Sequence, residues 1–112
     1  MTSLPKMDAN TSPEAMEEMV QNAQEAAAFL KALSHEGRLM ILCHLASGEK
    51  SVTELETLLQ LRQAAVSQQL TRLRLEGIVA PRREGKVIFY SLKDERARQI
   101  IDLVYTLFCK QD

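Results

Sequence analysis

The chain has 112 residues, of which 46% are hydrophobic and 26% charged, and its formal net charge is −1. A chain of this length has room for one domain with its own core. No stretch reaches the ~20 consecutive apolar residues of a membrane helix, and the N-terminus lacks the apolar segment of a signal peptide. We therefore expect a cytoplasmic protein with no membrane partner, and not a secreted domain held by disulfides.

The charges are distributed unevenly along the chain. Residues 62–86 contain six basic and two acidic residues, whereas residues 1–33 contain two basic and five acidic residues. A basic block inside a nearly neutral chain indicates a nucleic-acid-binding surface. From charge alone, a solvated charged surface is an equally good interpretation.

The first part of the chain predicts a long helix after a polar segment. Residues 1–11 are polar and are predicted to be disordered, and a single domain is predicted over 12–112. Ser12 and Pro13 supply an N-cap and a proline for the first helical turn. Apolar residues then recur at helical spacing and predict an amphipathic helix that ends near Leu33.

Two further helices follow in the sequence. The second is predicted over 36–47, with Ser34 as its cap and Gly48 in the left-handed conformation at its end. Ser51 and Glu54 have the spacing of a capping box, in which each side chain bonds to the backbone N–H of the other residue. This box predicts the start of a short third helix.

The second half of the chain predicts a helix pair followed by a hairpin. Helices over 51–60 and 63–76 are joined by a tight connection, and a β-rich segment with glycine in its turn comes directly after them. Pro81 has no N–H for a sheet and confines its strand to an edge. A last helix is predicted over 93–110. This order predicts a mainly α fold with a β-hairpin wing, a winged helix-turn-helix.

The helix over 63–76 is the element predicted to read DNA. Val66, Leu70 and Leu73 share one face and are expected to point into the core. The opposite face offers small and amide side chains that suit the major groove, with arginines beside them that suit phosphates. Basic residues at the hairpin tip are expected to touch phosphate or the minor groove. The predicted DNA-binding residues are Arg62, Gln63, Ala64, Ser67, Gln68, Arg72, Arg82, Arg83 and Lys86.

The two cysteines, Cys43 and Cys109, are the remaining chemical feature. Cys43 lies in the apolar run LMILCHL, and either cysteine taken alone is interpreted as a small buried hydrophobe. His44 follows Cys43 directly, so the two side chains would point about 100° apart on a helix and chelate poorly. A soft-metal site shared between two chains stays open as an alternative, and His35 and His44 are interpreted as capping or surface residues. We predict no enzyme, because a phosphate loop and a nucleophile with its base are both missing.

Three segments, in the same order, resemble the repressors of the ArsR/SmtB family: FLKALSHEGRLMIL, QAAVSQQLTRLRLEGIV and REGKVIFYSL. The resemblance implies a homodimer, formed through the first and last helices, that binds a palindromic operator and is released by an inducer. The sequence agrees, since the last predicted helix is apolar on more than one face. The family's usual metal sites are not expected here: SVTELETLL has no cysteine, and the last helix has no histidine.

The cysteine positions resemble the persulfide-responsive subgroup of that family, which has one cysteine in the second helix and one near the end of the last helix. This resemblance implies that Cys43 and Cys109 form a dithiol, that inorganic or organic persulfides or polysulfides bridge it with added sulfur, and that bridging releases the operator of sulfide-metabolism genes. No cofactor is implied. Apolar surroundings are expected to raise the pKa of Cys43, so Cys109 is expected to react first. The alternative inducer is a metal ion or a general oxidant or electrophile.

Overall fold

The structure, a computed structural model, describes residues 6–110. Part of the segment predicted to be disordered, residues 1–5, lies outside the described residues, as do residues 111–112. The backbone N–H of Asp8 donates to Thr11 Oγ1 at 2.9 Å within a short turn. The described residues fall into two compact units that divide between Lys31 and Ala32.

The first helix, α1, spans Pro13–Leu33, as predicted. The backbone N–H of Ala15 donates to Ser12 Oγ at 3.1 Å, which confirms Ser12 as the capping residue. Large apolar side chains along α1 are exposed: Met16, Met19, Val20 and Leu30.

The second unit contains four helices and a small sheet. Its elements are α2 (Glu36–Ala46), β1 (Lys50–Ser51), α3 (Val52–Leu59), α4 (Gln63–Leu75), β2 (Val79–Glu84), β3 (Val87–Leu92) and α5 (Glu95–Val104), followed by a π-helical segment (Tyr105–Cys109). The helix pair α3–α4 with its following hairpin confirms the predicted winged helix-turn-helix.

The start of α2 differs from the prediction. His35, not Ser34, caps the helix: its Nδ1 accepts a hydrogen bond from the backbone N–H of Gly37 at 3.0 Å. The extended backbone of His35 allows its ring to satisfy an N–H that the first helical turn leaves without a partner. Capping by His35 is therefore confirmed, and capping by Ser34 is wrong. Gly48 has φ +144°, a positive value that lies outside the left-handed helical region.

The capping box of α3 is confirmed. The Glu54 backbone N–H donates to Ser51 Oγ, and the Ser51 backbone N–H donates to Glu54 Oε1, both at 3.0 Å. The helix ends at Leu59 because Gln60 adopts the left-handed conformation, with φ +55°. After α4, Gly77 has φ +75° and turns the chain toward the hairpin.

The sheet has the strand order β1–β3–β2, so β2 lies at an edge, where Pro81 is tolerated as predicted. Gly85 and Lys86 form the two-residue turn of the hairpin, and Gly85 provides the positive φ of +63° that this turn needs. Strand β1 was not predicted. It is two residues long, and one of them, Ser51, is also the cap of α3.

The C-terminal helix is not continuous. An α-helix over 93–110 was predicted, but regular α-helix ends at Val104 and a π-helical segment follows. At this point Thr106 Oγ1 donates to the carbonyl of Asp102 at 3.0 Å, a side-chain bond of the kind that often bends helices. The prediction of one uninterrupted helix is therefore wrong in its last turns.

The core of the second unit lies where α2 contacts α4, α5 and β3. Its fully buried large side chains are Ile41, Leu42, Leu45, Leu55, Val66, Leu70, Leu73, Ile78, Val79 and Ile101. Within residues 6–110, none of the helices has the length and apolar character needed to cross a membrane.

Candidate DNA-binding surface and thiol cleft

Helix α4 is fixed against the core by one face. Val66, Leu70 and Leu73 are buried, as the sequence predicts. The opposite face is exposed at Gln63, Ala64, Gln68 and Arg72, and Ser67 is half-buried beside them. The residues predicted to read bases therefore lie together on the open side of the helix.

The reading face of α4 adjoins the wing. A cleft of about 210 Å³ lies between them, lined by Gln63, Ser67 and Thr71 from α4 and by Lys86 from the hairpin turn. The N-terminal part of α3 closes it with Thr53. The fold thus brings two predicted base-reading residues and one predicted phosphate-binding lysine to the same concave surface.

The predicted phosphate-binding arginines differ in their surroundings. Arg62 occupies the N-cap position of α4 and is exposed. Arg72 Nε lies 3.4 Å from Glu76 Oε1 in an exposed ion pair one helical turn away. Arg83 is exposed on β2 and lines a second groove together with Arg74 of α4. All three arginines are therefore exposed, and Arg62 and Arg72 belong to the same helix as the predicted base-reading residues.

Arg82 is not at the hairpin tip, where it was predicted. It lies within β2, opposite Phe89 of β3. Its guanidinium donates two hydrogen bonds to Glu49, at 2.7 and 3.0 Å, and one to Glu84 at 3.0 Å, and it stacks over the Phe89 ring at 4.7 Å. The hydrogen bond from Arg82 holds the pKa of Glu49 below its usual value.

Both cysteines are exposed and neither forms a disulfide in the described part of the chain. The interpretation of Cys43 and Cys109 as small buried hydrophobes is therefore wrong for this chain. Cys43 lies on the side of α2 that faces away from Leu42 and Leu45, which take the core positions of that helix.

Cys43 opens into a cleft of about 380 Å³ between α2 and the C-terminal helix. One wall consists of Cys43, Ala46 and Ser47, and the other of Ile101, Asp102, Tyr105 and Thr106. The second wall continues through the π-helical segment to Cys109. The pKa of Cys43 is raised, first by partial burial and second by Coulombic repulsion from Cys109.

Metal-binding chemistry has little support from the side chains. Among residues 6–110, no three or more His, Cys, Asp or Glu side chains are grouped so that they could hold a metal ion. Cysteine pairs that bind zinc in proteins need one or two further ligands.

Glu49 is a partner of the predicted site residue Arg82 that the sequence analysis did not identify. It precedes the capping box of α3 and carries no motif of its own. Its partner Arg82 is 33 residues further along the chain. The two come together because the segment after Glu49 and the strand that contains Arg82 both pair with β3.

The chain is similar to known bacterial regulators. The model described as "Bacterial regulatory protein, arsR family" matches residues 35–80. A "Biofilm growth-associated repressor" of Agrobacterium fabrum is 50% identical over 91 residues, which are 81% of this chain and 78% of that protein. The "Transcriptional activator HlyU" of Vibrio cholerae is 40% identical over 99 residues, 88% of this chain and 92% of that protein.

The chain is also similar to solved structures of bacterial transcriptional regulators. Reduced HlyU from Vibrio cholerae superposes with a TM-score of 0.81 at 41% identity, over 84% of this chain and 99% of that chain. The transcriptional repressor BigR from Xylella fastidiosa superposes with a TM-score of 0.78 at 48% identity, over 86% of this chain and 98% of that chain.

Proposed function

The chain belongs to the ArsR family of bacterial regulatory proteins, and we propose that it is a homodimeric repressor whose Cys43–Cys109 dithiol senses persulfides or polysulfides. Regulators of this family bind operator DNA and are typically dimers. Two of the relatives above are named repressors and one an activator, and the higher identity to the repressors favours repression. Its place of action is the cytoplasm, where operator DNA is found.

The DNA-binding mode that we propose uses α4 and the wing together. Gln63, Ser67 and Gln68 contact base edges in the major groove, where a side-chain amide pairs well with adenine. A two-fold dimer places its reading helices about 34–36 Å apart and therefore binds a palindrome. The small side chain of Ala64 permits close approach, and phosphates are bound by Arg62, Arg72, Arg83 and Lys86.

The observation that carries the thiol proposal is the cleft that Cys43 shares with the C-terminal helix. Its far wall continues toward Cys109, and repulsion from Cys109 is the second cause, after partial burial, of the raised pKa of Cys43. The open cleft gives a small electrophile access to Cys43. That one of the similar structures is of a reduced form also favours redox control in this group of proteins.

The proposed reaction uses an organic trisulfide, RSSSR, as both sulfur donor and oxidant. One cysteine thiolate attacks the central sulfur, forms Cys–S–S–S–R and releases RS⁻. The other thiolate attacks the same sulfur, displaces the second RS⁻ and closes a Cys43–S–S–S–Cys109 bridge. The dithiol loses two electrons to the trisulfide, its two protons go to solvent, and one sulfur atom is gained. A disulfide requires the two Cα atoms to lie within about 7 Å of each other. A trisulfide bridge contains one more sulfur atom and can join cysteines whose Cα atoms lie further apart.

Intact-mass spectrometry with a DNA-binding assay tests this proposal. After treatment with organic trisulfide, we expect each wild-type chain to gain one sulfur, lose two hydrogens and release its operator. Allosteric coupling typically changes affinity about 5- to 150-fold, and a loss in this range is expected. Cys43→Ser and Cys109→Ser variants are the controls, and neither is expected to form the bridge or to release DNA.

The other outcomes decide between inducers. Loss of two hydrogens without added sulfur, produced equally by peroxide and oxidised glutathione, would indicate a general redox switch. DNA release by the doubly substituted Cys43→Ser, Cys109→Ser protein would show that the dithiol is not the sensor. Release by a divalent metal ion in place of the trisulfide would favour the metal-responsive alternative.

A further inference from the structure

We propose that Glu49 and Arg82 form a positioning pair that joins the wall of the thiol cleft to the wing, so that the thiols act on DNA through the wing. Arg82 then orients the wing and does not itself bind phosphate. The thiol part of this inference rests on the proposed function. The positioning part concerns the reduced protein and can be tested without any inducer.

The guanidinium of Arg82 is held from several directions. Nη2 lies 2.7 Å from Glu49 Oε1, and Nε lies 3.0 Å from Glu49 Oε2. The carboxylate therefore binds the guanidinium in the bidentate geometry, which is among the strongest for an arginine and a carboxylate. Arg82 Nη1 donates to Glu84 Oε2 at 3.0 Å, and the guanidinium lies over the Phe89 ring. An isolated surface ion pair would contribute little, but this network fixes the guanidinium against the sheet.

The Glu49 end of the pair continues into the thiol cleft. Ser47, which lines the cleft, is two residues before Glu49. Lys50 Nζ donates to Ser47 Oγ at 3.1 Å and to the Gly48 carbonyl at 3.3 Å, which closes the connection into a compact loop. A shift of the last turn of α2 therefore moves Glu49 with it.

The C-terminal helix also holds the end of α2. Arg98 Nη1 of α5 donates to the carbonyl of Ala46 at 3.2 Å, and Ala46 is another residue of the cleft wall. Because a sulfur bridge would tie Cys43 of α2 to Cys109 beyond α5, it would change the relative position of these two helices. The C-terminal end of α2 lies three residues before Glu49 and would move with that change.

The Arg82 end of the pair belongs to the strand that carries the wing tip. Strand β2 is an edge strand, hydrogen-bonded to β3 alone. It also packs against α4, and Glu49 attaches it in addition to the α2–β1 loop. Arg83 follows Arg82 directly, and the turn with Lys86 begins after Glu84. The orientation of the two proposed phosphate-binding residues therefore depends on this attachment.

Substitution of Glu49 separates positioning by Arg82 from direct phosphate binding. If Arg82 bound phosphate, Glu49→Gln would free the guanidinium and remove a negative charge near DNA, and the operator would bind more tightly. If the pair positions the wing, Glu49→Gln weakens binding in spite of the lost negative charge. The two roles predict changes of opposite sign.

Glu84→Gln is the matched control, because it removes one carboxylate from the same guanidinium but cuts no link to the α2–β1 loop. The experiment measures the affinity of reduced wild-type, Glu49→Gln and Glu84→Gln proteins for a duplex of the wild-type operator, mapped by footprinting. We expect Glu49→Gln to bind about 3- to 10-fold more weakly, within the range found for residues that couple sites. Glu84→Gln is expected to bind as tightly as the wild type or more tightly. Tighter binding or no change with Glu49→Gln would overturn the positioning role.

The thiol part is tested with the same three proteins after bridging by organic trisulfide. We expect the ratio of reduced to bridged affinity to fall toward one in Glu49→Gln and to keep its wild-type value in Glu84→Gln. An unchanged ratio in Glu49→Gln, with wild-type protein that does respond, would overturn the link between thiols and wing. Wild-type protein that forms no bridge would refute the proposed function, while the reduced-state comparison would still decide the role of Arg82.

Discussion

The pKa of Cys43 is raised by two separate causes, and substitution of a single residue can remove one of them. Partial burial acts through the cleft walls, and Coulombic repulsion acts through Cys109. Both disfavour the thiolate, the form that reacts with electrophilic sulfur. The first attack is therefore expected from Cys109, with Cys43 closing the bridge.

Replacement of Cys109 by serine is expected to lower the pKa of Cys43, because it removes the repulsion and leaves the burial. The rate of Cys43 alkylation by iodoacetamide, followed by mass spectrometry against pH, gives this pKa as its midpoint. Asp102→Asn is the control: it removes a carboxylate from the same cleft, but Asp102 is not among the causes of the shift. A midpoint that stays in place in Cys109→Ser would mean that the two sulfurs do not interact.

Asp94 is a second residue whose ionisation has a predictable effect. It caps α5, accepts the backbone N–H of Arg96 at 2.8 Å and binds the Arg96 guanidinium, which lowers its pKa. A carboxyl whose pKa is lower in the folded state stabilises the fold above its unfolded pKa of about 3.9, and this stabilisation is lost as pH falls through the folded value.

Asp94→Asn keeps the capping oxygen and removes the charge. Urea unfolding is expected to show the wild type as the more stable protein at pH 7, with the difference vanishing as pH falls below about 3.9. Asp94→Ala, which also removes the cap, is expected to cost about 1 kcal/mol or more at neutral pH. A stability difference between wild type and Asp94→Asn that does not shrink as pH falls below about 3.9 would contradict the assignment to ionised Asp94.

At the scale of elements, the sequence predicts those helices and strands whose signals are local. The capping box of α3, the apolar spacing of α4 and Pro81 in an edge strand each depend on a few neighbouring residues, and each is confirmed. Strand β1 and the Glu49–Arg82 pair depend on how distant segments align in the sheet, and no local pattern carries that alignment. The π-helical segment was missed because apolar spacing predicts a helix but does not distinguish an α-helix from a short π-helical turn.

Because α4 is proposed to read bases and the wing to bind phosphates, substitutions in these two elements are expected to have different effects. Gln68→Ala is expected to weaken binding to the operator by about 1–3 kcal/mol if Gln68 pairs with a base, and to leave the salt dependence unchanged. Lys86→Ala is expected to weaken binding to all sequences and to reduce the salt slope by about one. Fluorescence anisotropy with operator and scrambled duplexes at several salt concentrations separates the two. Equal loss on both duplexes for Gln68→Ala would remove it from base reading.

At the scale of the whole molecule, the C-terminal region carries large apolar side chains that its own chain leaves exposed. Ile101 is buried in the core of its own chain, whereas Leu103, Leu107 and Phe108 are exposed, Phe108 by 82%. Contiguous exposed apolar side chains are characteristic of interaction surfaces. Because regulators of this family are typically dimers, we expect a second copy of the chain to cover these side chains.

Leu103→Glu is expected to convert the dimer into a monomer, because a carboxylate buried in an apolar interface without a partner is strongly unfavourable. Sedimentation equilibrium measures the change, and Leu58→Glu is the matched control, since Leu58 is an exposed leucine on α3 outside the proposed interface. The monomer is expected to lose most of its operator affinity, because each chain can engage only one half-site. It should still form the trisulfide bridge, since both cysteines belong to one chain. A Leu103→Glu protein that stays dimeric would place the interface elsewhere, and a monomer unable to bridge would mean that the dimer aligns the thiols.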